Sequence, residues 1–513
     1  MVKPVFLGKL VLHWCDQCNA PVLDKKCACG AEARFVPVTP PGDIRPAFPY
    51  DIRRINEVSA AQFGKKLIAD DEIVIYNKAP YEDRMEEIIC GGEVIATIRY
   101  EIEKTRWVLL LRLSGARRLF NASLKDDPAA ETTMKNWIMV HESGIPFVVD
   151  GSSVLVPGIL KTAEFSTEDE VVVVTPDFEV IAVGRAKMGS QEIQNSERGK
   201  AVKTRWTGPP AANSNPIPSL KSDVSKAPVR EIWKKAIDAN RQIIDSFEAD
   251  AIRFIQNAAD NMNKQHLTCS YSGGKDSLVT LHLVSAAFGP QSGHEKDFEI
   301  LFSDTGLEFQ ETIDNVAEIV KIYGKPFKET SAGNAFWDGF LIHGPPSVDN
   351  RWCTQSCKLT PIATLIESNY AELGGCLTFI GQRQYESKAR AQSQRIWKNP
   401  SVRGQIGAAP IQEWTAMHIW LYIFDKNLHY NPLYEKGFDR IGCWLCPAAS
   451  LADFENLKHT HPDAMKMWEE KLIEAGRQKG IVRPEDWVKY GLWRYDRLPP
   501  SMKKLADEKG IIL

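Results

Sequence analysis

Ser270-Tyr271-Ser272-Gly273-Gly274-Lys275-Asp276-Ser277-Leu278 decides the reading of this 513-residue chain. It follows Leu267-Thr268-Cys269 and precedes Val279-Thr280-Leu281-His282-Leu283-Val284. That pattern predicts a strand, a tight glycine turn and the start of a helix. Gly273 and Gly274 let backbone N–H groups approach an anion where a side chain would block it. The first helical turn adds partial positive charge, and Lys275 adds a full one. The stretch is expected to cradle a pyrophosphate. Its spacing is not that of the Gly-x-x-x-x-Gly-Lys-Ser/Thr loop.

Further along, Phe298-Glu-Ile-Leu-Phe302 and Leu377-Thr-Phe-Ile-Gly381 read as buried strands. Strands that alternate with helices predict an α/β fold with a parallel sheet, whose site lies at the carboxyl ends of the strands. Ser272-Gly-Gly-Lys-Asp-Ser277 resembles the PP-loop of ATP pyrophosphatases, which cut ATP between the α and β phosphates and adenylylate a substrate. Asp304-Thr305-Gly306-Leu-Glu308, Gly381-Gln-Arg383 with Arg390, Pro410-Ile-Gln-Glu-Trp414-Thr415 and Asn431-Pro432-Leu433-Tyr434 are similar to motifs of the phosphoadenosine phosphosulfate (PAPS) reductase family. The likeness spans about 265 to 450 and implies an adenine nucleotide α-hydrolase-like domain. It makes Ser272, Gly273, Gly274, Lys275, Asp276 and Ser277 the ATP cradle. Asp276 and Asp304 would hold Mg²⁺ on the phosphates. Arg383 and Arg390 would clamp phosphate bidentately, the alternative being salt bridges to Glu386. Lys275, Asp276, Asp304 and Arg383 are the expected catalytic set. Glu308 and Glu311 have a second use, as caps of the following helix.

The chain has 11 cysteines, eight of them in two groups of four. Clustered cysteines in an intracellular chain read as metal sites before disulfides. Cys15, Cys18, Cys27 and Cys29 form two short pairs, a compact four-thiolate knuckle that suits structural tetrahedral Zn²⁺ over an iron–sulfur centre. Cys353, Cys357, Cys443 and Cys446 are split by about ninety residues, and their spacing does not choose between zinc and [4Fe–4S]. The resemblance points to [4Fe–4S], because adenylylsulfate-type reductases carry a cubane on a Cys-Cys pair and a later Cys-x2-Cys. Here Cys353 matches the first of that pair, Thr354 replaces the second, and Cys357 is offset by three positions. Family reductases end in a Glu-Cys-Gly-x-His segment whose cysteine attacks the sulfate sulfur. Residues 447–513 hold no cysteine. Cys90, Cys269 and Cys376 read as buried small hydrophobes.

Toward the N-terminus, Pro40-Pro41-Gly42-Asp43 marks a boundary. Val154 to Trp206 shows short β segments with Gly and Pro turns, which predict a small barrel. It ends in Gly199-Lys200-Ala-Val-Lys203-Thr-Arg205-Trp206, which alternates basic and apolar residues. This stretch resembles a PUA domain, an RNA-binding barrel, and assigns Lys200, Lys203 and Arg205 to RNA. The preceding region looks like the pre-PUA segment of archaeosine-type tRNA transglycosylases.

Length predicts several domains. The expected division is a zinc ribbon at 1–38, a mixed α+β pre-PUA region at 39–140 and a PUA-like barrel at 141–207. A linker at 208–228, a catalytic domain at 229–450 and a helical extension at 451–513 follow. Net charge is −3, so an RNA surface must be a local patch. No apolar run reaches membrane-spanning length, and the N-terminus lacks a signal sequence, which makes cytoplasm the default. The expected activity is ATP-dependent thiolation of a base in RNA, with tRNA the expected RNA, using ATP, Mg²⁺, Zn²⁺, a [4Fe–4S] cluster and a sulfur donor. The alternative is reduction of PAPS or adenylylsulfate. A homodimer is compatible with the sequence.

Overall fold

The computed structural model describes residues 7–8, 10–69, 71–120, 133–211, 229–262 and 266–512. Most of the expected 208–228 linker lies outside the described residues.

The catalytic half is built on a six-stranded sheet ordered Phe327–Ser331, Glu299–Asp304, His266–Ser270, Cys376–Phe379, Gln405–Ala408, Ile396–Lys398. Five strands are parallel, and Ile396–Lys398 joins antiparallel at the edge. From His266–Ser270 the chain adds strands on one side, then crosses to Cys376–Phe379 on the other. The loop after Ser270 therefore opens at the reversal of strand order, where open α/β sheets bind ligands. Helix Lys275–Phe288 follows, with Leu278, Val279, Leu281, Leu283 and Val284 all buried. Burial on several faces fits a helix enclosed within a domain.

A three-stranded sheet (Ala20–Val22, His13–Cys15, Arg34–Phe35) carries the first cysteines. It is not a free appendage. Trp14, Cys15 and Val22 belong to the same apolar core as the parallel sheet. Asn240, between helices Val229–Ala239 and Arg241–Asn261, accepts from the Leu23 amide at 2.8 Å and donates to the Pro21 carbonyl at 2.8 Å.

The pre-PUA region forms a five-stranded antiparallel sheet, Ile44–Pro46, Val74–Lys78, Met85–Cys90, Glu93–Glu101 and Arg106–Leu111, with helix Pro49–Phe63 against it. Two of its strands escape a hydropathy reading. Met85–Cys90 buries Glu86 and Glu87, which are held by Arg45 at 3.0 Å and by the Thr39 hydroxyl at 2.7 Å. A buried carboxylate persists when it is paired and hydrogen-bonded.

The PUA segment is a six-stranded sheet ordered Val154–Leu155, Lys200–Thr207, Val180–Ala186, Glu170–Val174, Trp137–Val140, Ile159–Thr162. Along Glu170–Val174 the side chains alternate faces. Val171 and Val173 enter the segment's own core, whereas Val172 and Val174 pack on the pre-PUA core. Burial on both faces accounts for the four-valine run.

Helices Leu451–Thr460, Pro462–Gln478, Pro484–Lys489 and Pro500–Lys509 close the chain. Trp468, Trp493 and Phe336 form an aromatic core there, which also encloses Cys357. Among the described residues, no helix is long and apolar enough to cross a membrane.

Candidate functional site

The 270–278 stretch folds as the local sequence predicts. Gly273 takes a φ of 75°, and a Cβ there would lie 2.6 Å from Thr312 Cγ2, so both conformation and space require glycine. Helix Lys275–Phe288 starts after Gly274. The Ser272 amide donates to Ser277 Oγ at 3.2 Å, and the Lys275 amide to the Tyr434 hydroxyl at 2.8 Å. Tyr434 thus rigidifies the first helical turn from a segment 159 residues away. The Gly273 and Gly274 amides, which no other group among the described residues engages, remain as donors for an anion.

The charged groups around the loop form a ladder. Lys275 Nζ lies 2.9 Å from Asp276 Oδ2, and Arg383 Nε lies 2.6 Å from Asp276 Oδ1. Arg383 then reaches Asp43 Oδ2 at 2.9 Å, and Asp43 Oδ1 accepts the Ala416 amide at 2.9 Å. Burial would raise the Asp276 carboxyl, but Arg383 and Lys275 outweigh it and hold it below the usual carboxylate range. Burial disfavours the Arg383 cation, yet Asp276 and Asp43 more than restore it. Gly381 permits this approach, since a Cβ there would lie 2.6 Å from the Asp276 backbone carbon.

Asp276 therefore spends both oxygens on cations. Asp304 differs: it accepts the Gly306 amide at 2.7 Å and the Ser331 hydroxyl at 3.0 Å, and pairs with no cation among the described residues. Of the two carboxylates expected to hold Mg²⁺, Asp304 has the freer oxygens. The two arginines also part. Arg383 joins the ladder, whereas Arg390 is half exposed and pairs with Glu386. Glu308 accepts the Thr305 amide at 3.0 Å and the Thr305 hydroxyl at 2.7 Å, tying the Asp304 turn together. Burial raises its carboxyl, and Asp304 adds to the rise. Glu311 meets Lys436 at 2.7 Å and His461 at 3.1 Å. Burial opposes it, but Lys436 leads the groups that bring its carboxyl down to about 2.

Asp43 is the member of this ladder that sequence reasoning missed. Its Pro-Pro-Gly-Asp context reads as a boundary, and its partner lies 340 residues away. Asp43→Ala is expected to lower stability by about 3–5 kcal/mol, because it strips a partner from a buried guanidinium. The control Asp16→Ala breaks the exposed Arg34 pair and should cost under about 1 kcal/mol. Denaturant unfolding followed by tryptophan fluorescence compares them. Equal costs would show that the Asp43 bridge is not made.

The N-terminal cysteines form a metal-ready cage. Cys15 and Cys29 sulfurs are 3.7 Å apart, as are those of Cys18 and Cys27. All four ligand atoms lie within 4.8 Å of one another. Tetrahedral Zn–S bonds of about 2.3 Å put sulfurs about 3.8 Å apart, so the cage could hold a metal such as zinc.

Cys353 and Cys357 sit on consecutive turns of a helix that widens to a π-helical turn at Gln355–Leu359. Such turns frequently mark functional sites. Burial pushes the Cys353 thiol up to about 11, and the nearby Cys443, Cys357 and Cys446 add to it. No three of these sulfurs lie within 4.8 Å of one another. Thr305 Oγ1 contacts Cys443 Sγ at 3.3 Å, and the Trp444 amide donates to the Leu307 carbonyl at 3.1 Å. The second cysteine group therefore abuts the Asp304 turn.

On the PUA strand, Lys200 and Lys203 are exposed. Arg205 is tied to buried Glu170 and donates to the Leu111 carbonyl at 3.3 Å. Burial raises the Glu170 carboxyl to about 7 against the pull of Arg205. Among the described residues, Lys200 and Lys203 make no ion pair, whereas Arg205, also exposed, pairs with Glu170.

The family model described as phosphoadenosine phosphosulfate reductase domain matches residues 266–449, and the PUA domain model matches residues 136–206. The uncharacterized protein MJ0066 of Methanocaldococcus jannaschii is 36% identical over 498 residues, 96% of this chain and 98% of its own length. MJ0973 of the same organism is 33% identical over 289 residues, 56% of this chain and 65% of its own length. An adenosine 5'-phosphosulfate reductase of Geobacillus thermodenitrificans is 27% identical over 195 residues, 36% of this chain and 72% of its own length. The chain belongs to the same family as MJ0066 and carries a PUA domain followed by a PAPS reductase domain.

Proposed function

We propose that this protein is an ATP-dependent RNA sulfurtransferase. The observation that carries the reading is the contact of Thr305 with Cys443. It joins the turn at the end of the Asp304 strand, beside the PP-loop, to the second cysteine group, in a chain that also holds a PUA domain. Nucleotide activation and sulfur handling would then share one end of the sheet.

In this reading the Gly273 and Gly274 amides and Lys275 bind the β and γ phosphates of ATP, and Arg383 fixes Asp276 beside them. A base carbonyl oxygen attacks the α-phosphorus and pyrophosphate leaves. A sulfide then adds to the activated carbon and AMP leaves with the former carbonyl oxygen. The balance is C=O + ATP + H₂S → C=S + AMP + pyrophosphate, with no change of oxidation state. Cys353, Cys357, Cys443 and Cys446 would hold a [4Fe–4S] cluster, which would supply bound sulfur. The four thiolates would provide one protein ligand for each iron of such a cluster.

Likeness to an adenosine 5'-phosphosulfate reductase favours a second reading, reduction of PAPS or adenylylsulfate. Purified anaerobic protein supplied with tRNA, ATP and sulfide should form AMP, pyrophosphate and thionucleoside in equal amounts. Sulfite from PAPS or adenylylsulfate, with no RNA-dependent pyrophosphate, would replace this reading with the second.

RNA would be gripped in part by Lys200 and Lys203. Changing both to Ala should flatten the log–log salt slope of tRNA binding by about 1.4, at roughly 0.7 per single-strand phosphate contact. An unchanged slope would remove the two lysines from the RNA surface.

A further inference from the structure

We propose that a cavity of about 640 Å³ between the pre-PUA region and the C-terminal helices binds a phosphodiester of the RNA. The inference rests on the RNA reading above. Helix Pro49–Phe63 and strand Arg106–Leu111 form two walls, and helix Leu451–Thr460 forms the third.

Arg54 is the group that points to a ligand. Among the described residues five arginines are almost fully buried: Arg45, Arg54, Arg84, Arg383 and Arg494. Four of them meet a carboxylate, Arg45 with Asp51 at 2.7 Å, Arg84 with Glu86 at 3.1 Å, Arg383 with Asp276 at 2.6 Å and Arg494 with Asp83 at 3.4 Å. Arg54, 8% exposed, has no carboxylate within 4.0 Å among the described residues; it acts only at longer range on Asp51, which Arg45 bonds. Its guanidinium lies over the rings of Tyr50 and Trp107 instead, 4.7 and 4.6 Å from their centroids. Aromatic faces attract the charge but accept none of its five in-plane N–H donors in the way a carboxylate does. A desolvated cation with unspent donors is costly unless an anion takes them. Arg54 lines the cavity, and none of its nitrogens is both sealed from solvent and without a partner.

The surroundings favour phosphate. Arg53 and Arg106 line the same cavity, as do Glu57, Glu455 and His459. Three guanidinium groups face two carboxylates, in a chain whose net charge is −3. Glu455 is drawn toward His459 at 3.5 Å. Guanidinium matches the geometry of a phosphate edge. Arg106 also reaches Asp169 of the PUA domain at 3.6 Å, so the cavity borders that domain.

The test is tRNA binding by Arg54→Gln at several salt concentrations, with thermal unfolding recorded beside it. Affinity is expected to fall about tenfold and the log–log salt slope to flatten by about 0.7, as for loss of one phosphate contact. Arg53→Ala, an exposed change, should weaken binding about threefold and serves if Arg54→Gln does not fold. Wild-type affinity and slope in the folded variants would overturn the inference while leaving the proposed function intact. Absence of RNA binding by the unaltered protein would overturn both. AMP and inorganic phosphate are the competing probes. Saturable, Arg54-dependent binding of either, with RNA affinity unchanged in the variant, would assign the cavity to a free anion and overturn the RNA assignment.

Discussion

Lys275→Ala is expected to lower AMP and pyrophosphate release by at least about a hundredfold, the scale seen when one preorganised charge-stabilising group is lost. Lys275 is the side-chain cation of the loop, and the amides of Gly273 and Gly274 carry only partial charge. Its partner Asp276 keeps Arg383 at 2.6 Å, so the fold should survive the change. Asp276→Ala should behave differently. It leaves Arg383, 2% exposed, with Asp43 as its sole partner in the ladder, and should cost about 3–5 kcal/mol of stability as well as activity. The pH dependence follows from the depressed Asp276 carboxyl. A folded value below the unfolded one, about 3.9, means that its stabilising contribution is complete above that pH. The contribution is lost only as pH falls from there through the folded value. A pyrophosphate-release assay with parallel unfolding curves reads both effects. Turnover by Lys275→Ala at the wild-type rate would remove the lysine from the site.

Opposite metal losses are expected from Cys443→Ala and Cys15→Ala. Anaerobically purified protein should hold one zinc per chain and an iron–sulfur chromophore. Cys443→Ala should bleach the chromophore and spare the zinc. Cys15→Ala should remove the zinc and, in addition, destabilise the catalytic half. The knuckle shares the core of the parallel sheet and is clasped by Asn240 at 2.8 Å. Structural zinc contributes about 10–16 kcal/mol of apparent binding energy in isolated peptides, enough to affect any core coupled to it. Metal analysis with absorption spectra distinguishes the variants. A colourless protein with two zinc ions per chain would sink the cluster assignment.

What the sequence alone determined was local. The PP-loop turn was legible because Gly273, Gly274 and Lys275 act through backbone shape and helix charge within one turn. The N-terminal cage was legible because its four thiols fall within fifteen residues, so chain connectivity brings them together. The parallel sheet was legible from apolar runs such as Leu377 to Ile380. The strand Met85–Cys90 was not, since its buried Glu86 and Glu87 break the apolar pattern and are stabilised by residues from other segments.

Tertiary structure decided the rest. Which of two similar arginines joins the charged ladder beside the loop depended on carboxylates far away in sequence: Asp276 and Asp43 claim Arg383, while Arg390 pairs with its own neighbour Glu386. Glu170, buried two strands away in sheet order, ties exposed Arg205, whereas Lys200 and Lys203 make no ion pair among the described residues, although all three look alike in the strand. Asp43 and Arg54 carry no motif. Their places come from what the folded chain sets beside them, a buried guanidinium for one and, for the other, two rings with no carboxylate within 4.0 Å among the described residues. Desolvation makes such long-range partners decisive, because a charge removed from water must find its counterpart wherever the fold places it.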